Sequence, residues 1–250
     1  MWNFQIFILG ILLLISYLVS SILIVLLQPR WLFKLIPKIA PGVKYFAETN
    51  EKIVAITIDD GPDSITTPTI LETLATHQTH ATFFLISERL KDNENLVKNM
   101  IKNGHEIGNH MVKDEQSIQL SIEEFEQQFL EADQTLNQLL DHSSSRIHWF
   151  RPGGGWYNAK MIKIVEKYNY QAVLGSIFPY DTHIPFSQFA AYQILLNLRP
   201  GAIIVIHDSA RDGQSGEWGK RTNMTLNTIL PEIKRRGYRT VTLSEMFLNN

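Results

Sequence analysis

Hydrophobic positions along the chain fall into two regimes. Residues 4–27 are almost wholly Ile, Leu, Val and Phe, with no charged side chain before Arg30. That run is longer than the roughly 20 residues needed to cross a bilayer. Gly10, Ser16, Ser20 and Ser21 do not interrupt it, because small residues are tolerated in spanning helices. A cleaved signal peptide has a basic start, an apolar stretch of about 7 to 15 residues and a small-x-small cleavage site. Here no Lys or Arg precedes the run. Residues 1–29 are therefore expected to form an uncleaved, single-pass transmembrane anchor with the lipid bilayer as partner. Residues 30–51 read as a basic interfacial connector, since Trp31, Leu32, Phe33, Leu35 and Ile36 interleave with Lys34 and Lys38.

From residue 53 short β-branched or aromatic runs alternate with stretches of helical spacing. Seven candidate strands are predicted at 53–58, 81–86, 105–108, 147–150, 171–174, 202–206 and 239–243. Between residues 121 and 140, Ile122, Phe125, Phe129, Ala132, Leu136 and Leu139 recur every three or four positions, the helical period. Ser121 followed by Glu124 adds a capping-box signature. A second helix is expected over 222–236, with a kink or break at Pro231 and a stop at Gly237. Strands alternating with helices predict an α/β domain built on a parallel sheet, open or closed into a barrel. No Gly-x-Gly-x-x-Gly loop follows the first strand, which argues against dinucleotide binding.

Composition narrows the function classes. With 44% hydrophobic and 19% charged residues the chain is neither disordered nor fibrous. The absence of cysteine excludes disulfides, zinc–thiolate sites and cysteine nucleophiles. Through residue 50, Arg30, Lys34, Lys38 and Lys44 face only Glu48, a net +3. The formal total is −2, so the remaining 200 residues carry −5. A basic leader joined to an acidic domain does not fit nucleic-acid binding through a broad basic face.

The polar residues that stand out share one address. The first strand ends in Thr57-Ile58-Asp59-Asp60-Gly61-Pro62, the third in Gly104-His105-Glu106-Ile107-Gly108-Asn109-His110 with Asp114 beyond it. The fourth ends in Arg151-Pro152-Gly153-Gly154-Gly155-Trp156, and the sixth delivers His207 and Asp208. Singly, each has a plain alternative: turn chemistry for the aspartates, a solvated loop for His110 and Asp114, a flexible turn for the glycines, a buried satisfied histidine for His207. A helical turn over 109–114 would put His110 and Asp114 on one face, as in a pair of metal ligands. Their common place at the C-terminal ends of strands is where a parallel α/β barrel builds its active site.

Together these segments resemble the polysaccharide deacetylases of carbohydrate esterase family four, the NodB-homology domain, over residues 52–250. Thr57-Ile58-Asp59-Asp60-Gly61-Pro62 is similar to the family's T-F-D-D-G-P, and residues 104–110 to its G-H-E-I-G-N-H. Arg151-Pro152 begins the match to R-P-P-Y-G, Val205-Ile206-His207 is similar to L-x-H, and residues 236–245 resemble the closing helix and strand. The resemblance implies a distorted (β/α) barrel of about seven parallel strands. It also implies a hydrolase that removes N-acetyl groups from an N-acetylglucosamine-containing, chitin-like or peptidoglycan-like glycan outside the cytoplasm. By the same resemblance Asp59 is general base, Arg151 its orienting partner, His207 the general acid, and Asp60 and His110 ligands of a divalent metal, often zinc. Such a metal polarises the acetamide carbonyl and acidifies water, while a backbone N–H of the Gly153–Gly155 turn would face the oxyanion.

Three departures from the family pattern shape the remaining expectations. Asp114 stands where the family has a second metal histidine, and a harder donor set admits Mn or Co as well as Zn. Gly153 and Gly154 replace Pro and Tyr, opening the cleft wall beside Trp156. The Trp-containing fourth motif is not recognisable, and Pro179-Tyr180-Asp181 takes its place. Asp181 is thus the expected partner of His207, and Tyr180 a ring for sugar stacking. The alternatives to a deacetylase are a catalytically silent, membrane-anchored glycan binder and a metal hydrolase of another amide or ester.

Overall fold

A strand buried on both faces cannot alternate polar and apolar residues, and 53–58 does not. In the computed structural model, which describes residues 2–140, 146–209 and 217–248, this segment is the centre of the sheet. The elements run α1 (Trp2–Leu27), α2 (Arg30–Ile39), β1 (Val43–Lys44), β2 (Ile53–Gly61), α3 (Thr66–Thr76), β3 (Thr82–Leu85), α4 (Glu94–Lys102) and β4 (Glu106–Asn109). They continue with α5 (Ile122–Asn137), β5 (Trp149–Phe150), α6 (Ala159–Lys167), β6 (Gln171–Val173), α7 (Ser187–Asn197), β7 (Ala202–His207), α8 (Glu217–Arg235), β8 (Arg239–Val241) and α9 (Leu243–Leu248). Every residue of β2 is buried, and it pairs in parallel with β3, β7 and β8.

The strand order is β1-β6-β5-β4-β3-β2-β7, with β8 beside β2. The sheet curls into a half-barrel, and the chain just past β6 spans the remaining gap. There Ile177 N–H donates to Ile203 O at 3.1 Å and Val205 N–H to Ile177 O at 3.0 Å. The result is the distorted barrel expected. All seven predicted strands are present among the described residues, and the two-residue β1 joins them at the edge against β6.

Differences from expectation have local causes. The last strand stops at Val241 because Thr242 and Glu245 cap α9, with Thr242 N–H donating to Glu245 Oε2 at 2.9 Å. The helix expected from 222 begins at Glu217 and passes Pro231 without a break. Proline removes one backbone donor, but Leu226, Ile229, Leu230 and Ile233 remain buried around it, so packing holds the helix together. Helix α5 carries the capping box anticipated at Ser121 and Glu124. Helix α1 includes a 23-residue apolar stretch, Gln5–Leu27, that the domain leaves unburied and that is long enough to be a membrane span.

The main core lies between the curled sheet and its helices. Around Phe129 the rings of Phe150 and Tyr170 approach to 5.3 and 5.0 Å, edge to face. Phe129 O also accepts from Asn109 Nδ2 at 3.1 Å, tying α5 to the end of β4. Phe129→Ala is therefore expected to cost about 3–5 kcal/mol, read as a lowered thermal midpoint of the full chain in detergent.

Candidate active site

Parallel strands align their side chains in rows, so residues that end neighbouring strands face one another. Asp59 on β2 is in register with His207 on β7, and Asn109 on β4 with Phe150 on β5. The next residues, Asp60 at the irregular end of β2 and His110 and Arg151 just past β4 and β5, lie at the same rim.

Arg151 has essentially no exposed surface. Its Nη1 donates to Asp59 Oδ1 at 2.6 Å and to Thr57 Oγ1 at 2.8 Å, Nη2 to Leu174 O at 2.9 Å and Nε to Val173 O at 3.2 Å. Phe84 lies 4.1 Å below the guanidinium, a cation–π contact. Gly108 makes room for that ring, since a Cβ there would stand 2.6 Å from it. The Asp59 carboxylate is thus held in one orientation.

Asp60 sits beside it at φ 66, and its Oδ1 lies 3.2 Å from His110 Nε2. His110 Nδ1–H donates to Arg151 O at 2.8 Å. In the neutral ring Nε2 then carries a lone pair, so an acceptor faces an acceptor and a positive charge must lie between them. Burial opposes charging Asp60, but His110, His207 and Arg89 outweigh it and hold its carboxyl below the usual range. Burial opposes protonation of His110 too, and Asp60 and Asp59 overcome it. One carboxylate and one imidazole in this arrangement fit a divalent cation.

Asp114 is not brought beside that pair by the helical turn expected. No helical turn forms over 109–114: Met111 has φ 73, and its N–H donates to Asn109 Oδ1 at 2.8 Å. His110 and Asp114 consequently do not share a helix face. Asp114 Oδ2 instead lies 3.1 Å from Arg89 Nη2, and among the described residues no three His, Cys, Asp or Glu side chains cluster as metal ligands. Arg89 went unnoticed in the sequence, yet it follows β3 at the same rim. It donates to the backbone oxygen of Asp60 and to Ser209 Oγ as well.

On the other side Asp181, buried, holds His207. Its Oδ2 accepts the His207 backbone N–H at 2.8 Å, and both oxygens lie 3.1 Å from Nδ1. Burial would favour the neutral ring, but Asp181 first, then Asp60 and Asp59, push the His207 pKa up to about 10. Next to it Asp208 is fully buried and accepts from Thr66 Oγ1 at 2.7 Å and from Thr67 Oγ1. Burial raises its pKa to about 7. Asp208 stood in the sequence beside His207, but only the fold shows that it pins the start of α3 beneath Gly61.

The glycine turn is tightly constrained. A Cβ on Gly153 would meet Glu115 O at 2.1 Å. Gly153 N–H donates to Ser117 Oγ at 2.8 Å and Gly155 N–H to Pro152 O at 3.0 Å. Gly154 adopts φ 70, and Trp156 beyond it is 67% exposed. Tyr180 is half-buried, and its hydroxyl reaches Val25 O at 3.3 Å, so the residue expected to stack on sugar is engaged with α1.

Residues 46–173 match the polysaccharide deacetylase family. The chain is 36% identical over 212 residues to a peptidoglycan-N-acetylglucosamine deacetylase of Bacillus cereus, covering 82% of this chain and 92% of that protein. It is 30% identical over 194 residues to a chitooligosaccharide deacetylase of Azorhizobium caulinodans, covering 76% and 91%. The crystal structure of the Bc1960 peptidoglycan N-acetylglucosamine deacetylase superposes with a TM-score of 0.75 at 29% identity, over 83% of this chain and 93% of that one.

A histidine that must arrive protonated loses function as pH rises through its pKa. Asp181 is the leading cause that raises it, so Asp181→Asn is expected to move the alkaline limb of the kcat/KM profile to lower pH. An unshifted limb would remove Asp181 from that role.

Proposed function

We propose that this chain, which belongs to the polysaccharide deacetylase family, is a metal-dependent, membrane-anchored N-deacetylase of N-acetylglucosamine-containing glycans. Polysaccharide N-deacetylation goes with that membership; the metal, the residue roles and the anchor are our assignment. The observation that carries it is the pair at one register, Asp59 held by Arg151 and His207 held by Asp181. Neighbouring groups that favour an anion at one position and a cation at the next are what base and acid require.

Asp59 accepts the proton of the attacking water, with Arg151 fixing which carboxylate oxygen faces the cleft. His207, its Nδ1–H turned to Asp181, presents Nε2–H to the departing nitrogen and protonates it as the C–N bond breaks. Water and acetamide give acetate and a free amine, and proton exchange with solvent resets both groups. The Gly153 N–H is given to Ser117 Oγ and the Gly155 N–H to Pro152 O, so the backbone donor to the oxyanion falls to Gly154. Asp60 and His110 are the residues that would hold a divalent metal, Zn or the harder Mn or Co, whose contribution is to polarise the acetyl carbonyl and acidify water. The pairing of Asp114 with Arg89 favours a second reading, a silent glycan binder lacking a third protein ligand. Helix α1 anchors the chain, with the catalytic domain on the extracytoplasmic side where cell-wall glycans lie.

Acetate release from N-acetylated chitooligosaccharides and peptidoglycan distinguishes these readings. The full chain is expected to be active, inactive after chelation, and restored by Zn, Mn or Co. Asp59→Asn should lower kcat by about 10²–10⁴, and His110→Ala should weaken zinc binding in calorimetry. Sugar binding without acetate release would favour the silent binder, and activity surviving both chelation and Asp59→Asn would overturn the mechanism. A C-terminal tag is expected to be protease-accessible in intact cells.

A further inference from the structure

The last carbonyls of a helix have no partner within it, and at the end of α1 the shortage is sharper. Pro29 has no N–H to offer Val25 O. Gln28 turns out of the helix at φ 41, its N–H reaching Ile24 O at 2.9 Å. The next two carbonyls are capped by the domain itself. The Tyr180 hydroxyl donates to Val25 O at 3.3 Å, and Asn197 Nδ2 to Leu26 O at 2.9 Å. The Gln28 side chain then clasps the backbone of Phe178, donating to its oxygen at 2.6 Å and accepting from its N–H at 2.7 Å.

These contacts leave no slack between the apolar helix and the domain. Only Gln28 and Pro29 separate α1 from α2, and Arg30 is fixed to Ala47 O at 3.1 Å. A long flexible tether would let the domain sweep a volume, and here there is none. The clasped segment, moreover, leads directly into the cleft. Asp181 follows Tyr180, and its carboxylate lies 3.1 Å from His207 Nδ1. With 3.8 Å between successive Cα atoms, the path from Val25 O to His207 is roughly 20 Å.

Val25 is two residues from the end of the apolar stretch, about 3 Å along a helix. Around it the surface has the composition of a membrane interface. Trp31, Leu35 and Ile39 are exposed along α2 with Lys34 and Lys38 beside them, and Phe186, Tyr192 and Leu196 are exposed on and before α7. Aromatic rings, aliphatic side chains and lysines in this mixture lie in the headgroup layer.

We propose that the bilayer covers this surface and holds the mouth of the cleft at the membrane, so that the substrate is an acetylated glycan carried on a lipid in the same leaflet. The inference rests on the deacetylase reading and names the substrate class of that site. It accounts for Tyr180 contacting α1, and for a basic connector on an otherwise acidic chain.

The chain has no cysteine, so single reporters are introduced cleanly. A fluorescent label on His183→Cys, two residues past Asp181, and another on Lys98→Cys, on α4, are compared in the full chain reconstituted in phosphatidylethanolamine–phosphatidylglycerol vesicles. Energy transfer to a headgroup acceptor is expected to be several-fold stronger from position 183, and equal transfer would overturn the orientation without any appeal to activity. In the same vesicles, an N-acetylchitooligosaccharide conjugated to phospholipid should be deacetylated at least tenfold faster than the same free oligosaccharide at equal bulk concentration. The double variant Gln28→Ala/Asn197→Ala should keep the rate on the free oligosaccharide and lose most of that preference. Equal rates on both substrates in the parent chain, or a preference unchanged in the double variant, would overturn the substrate class. Absence of turnover on either would instead sink the deacetylase reading, with the energy transfer still deciding where the cleft lies.

Discussion

A guanidinium with no exposed surface has to replace the hydrogen bonds it gave up to water, and Arg151 makes four to groups of two strands and rests on a ring from a third. Thr57 and Asp59 come from β2, Val173 and Leu174 from β6 and its continuation, and Phe84 from β3 supports the cation from below. A buried charge left unpaired costs a large share of the stability of an ordinary domain. The barrel must therefore curl until these groups meet, and the curl that satisfies Arg151 also orients Asp59. Through its own carbonyl the same residue sets the ring of His110. The fold and the site share one electrostatic requirement.

From that point the site separates charge by neighbourhood. Asp59 faces a permanent cation, while His207 is surrounded by Asp181, Asp60 and Asp59, whose attraction exceeds the penalty of burial. The two groups stand at the same register of adjacent strands, which places a carboxylate and an imidazole side by side at the rim. Asp60 and His110 complete the floor, with the carboxylate oxygen 3.2 Å from the imidazole Nε2. Arg89 and Asp208 sit behind this floor. Arg89 joins three rim segments through Asp60, Asp114 and Ser209, and Asp208 ties β7 to α3.

Much of this was legible in the residues because the relevant rules are local. The run at 53–58, apolar but for Thr57, announces a strand covered on both faces, and Ser121 with Glu124 announces the start of α5. The T-x-D-D-G-P, G-H-E-I-G-N-H and R-P segments could be placed at strand ends by period alone. Pro231 was misleading for the opposite reason. Helix breaking is a local propensity, and the buried face of α8, a tertiary contribution, outweighs one lost hydrogen bond. Asp114 shows the same limit: spacing predicted a shared helical face with His110, but the left-handed residue Met111 turns the chain, and the carboxylate finds Arg89.

The sequence by itself determined the order of strands and helices, the positions of the chemistry-bearing residues along them, and the apolar leader, since periodicity and motif spacing are properties of the chain. The tertiary structure alone decided which of those residues meet. Asp181 reaches His207 across 26 positions, Arg151 reaches Asp59 across 92, and Asn197 caps α1 across 171. Such pairings follow from how the sheet curls and which carbonyls a helix end leaves unmet, and neither quantity exists until the chain has closed on itself.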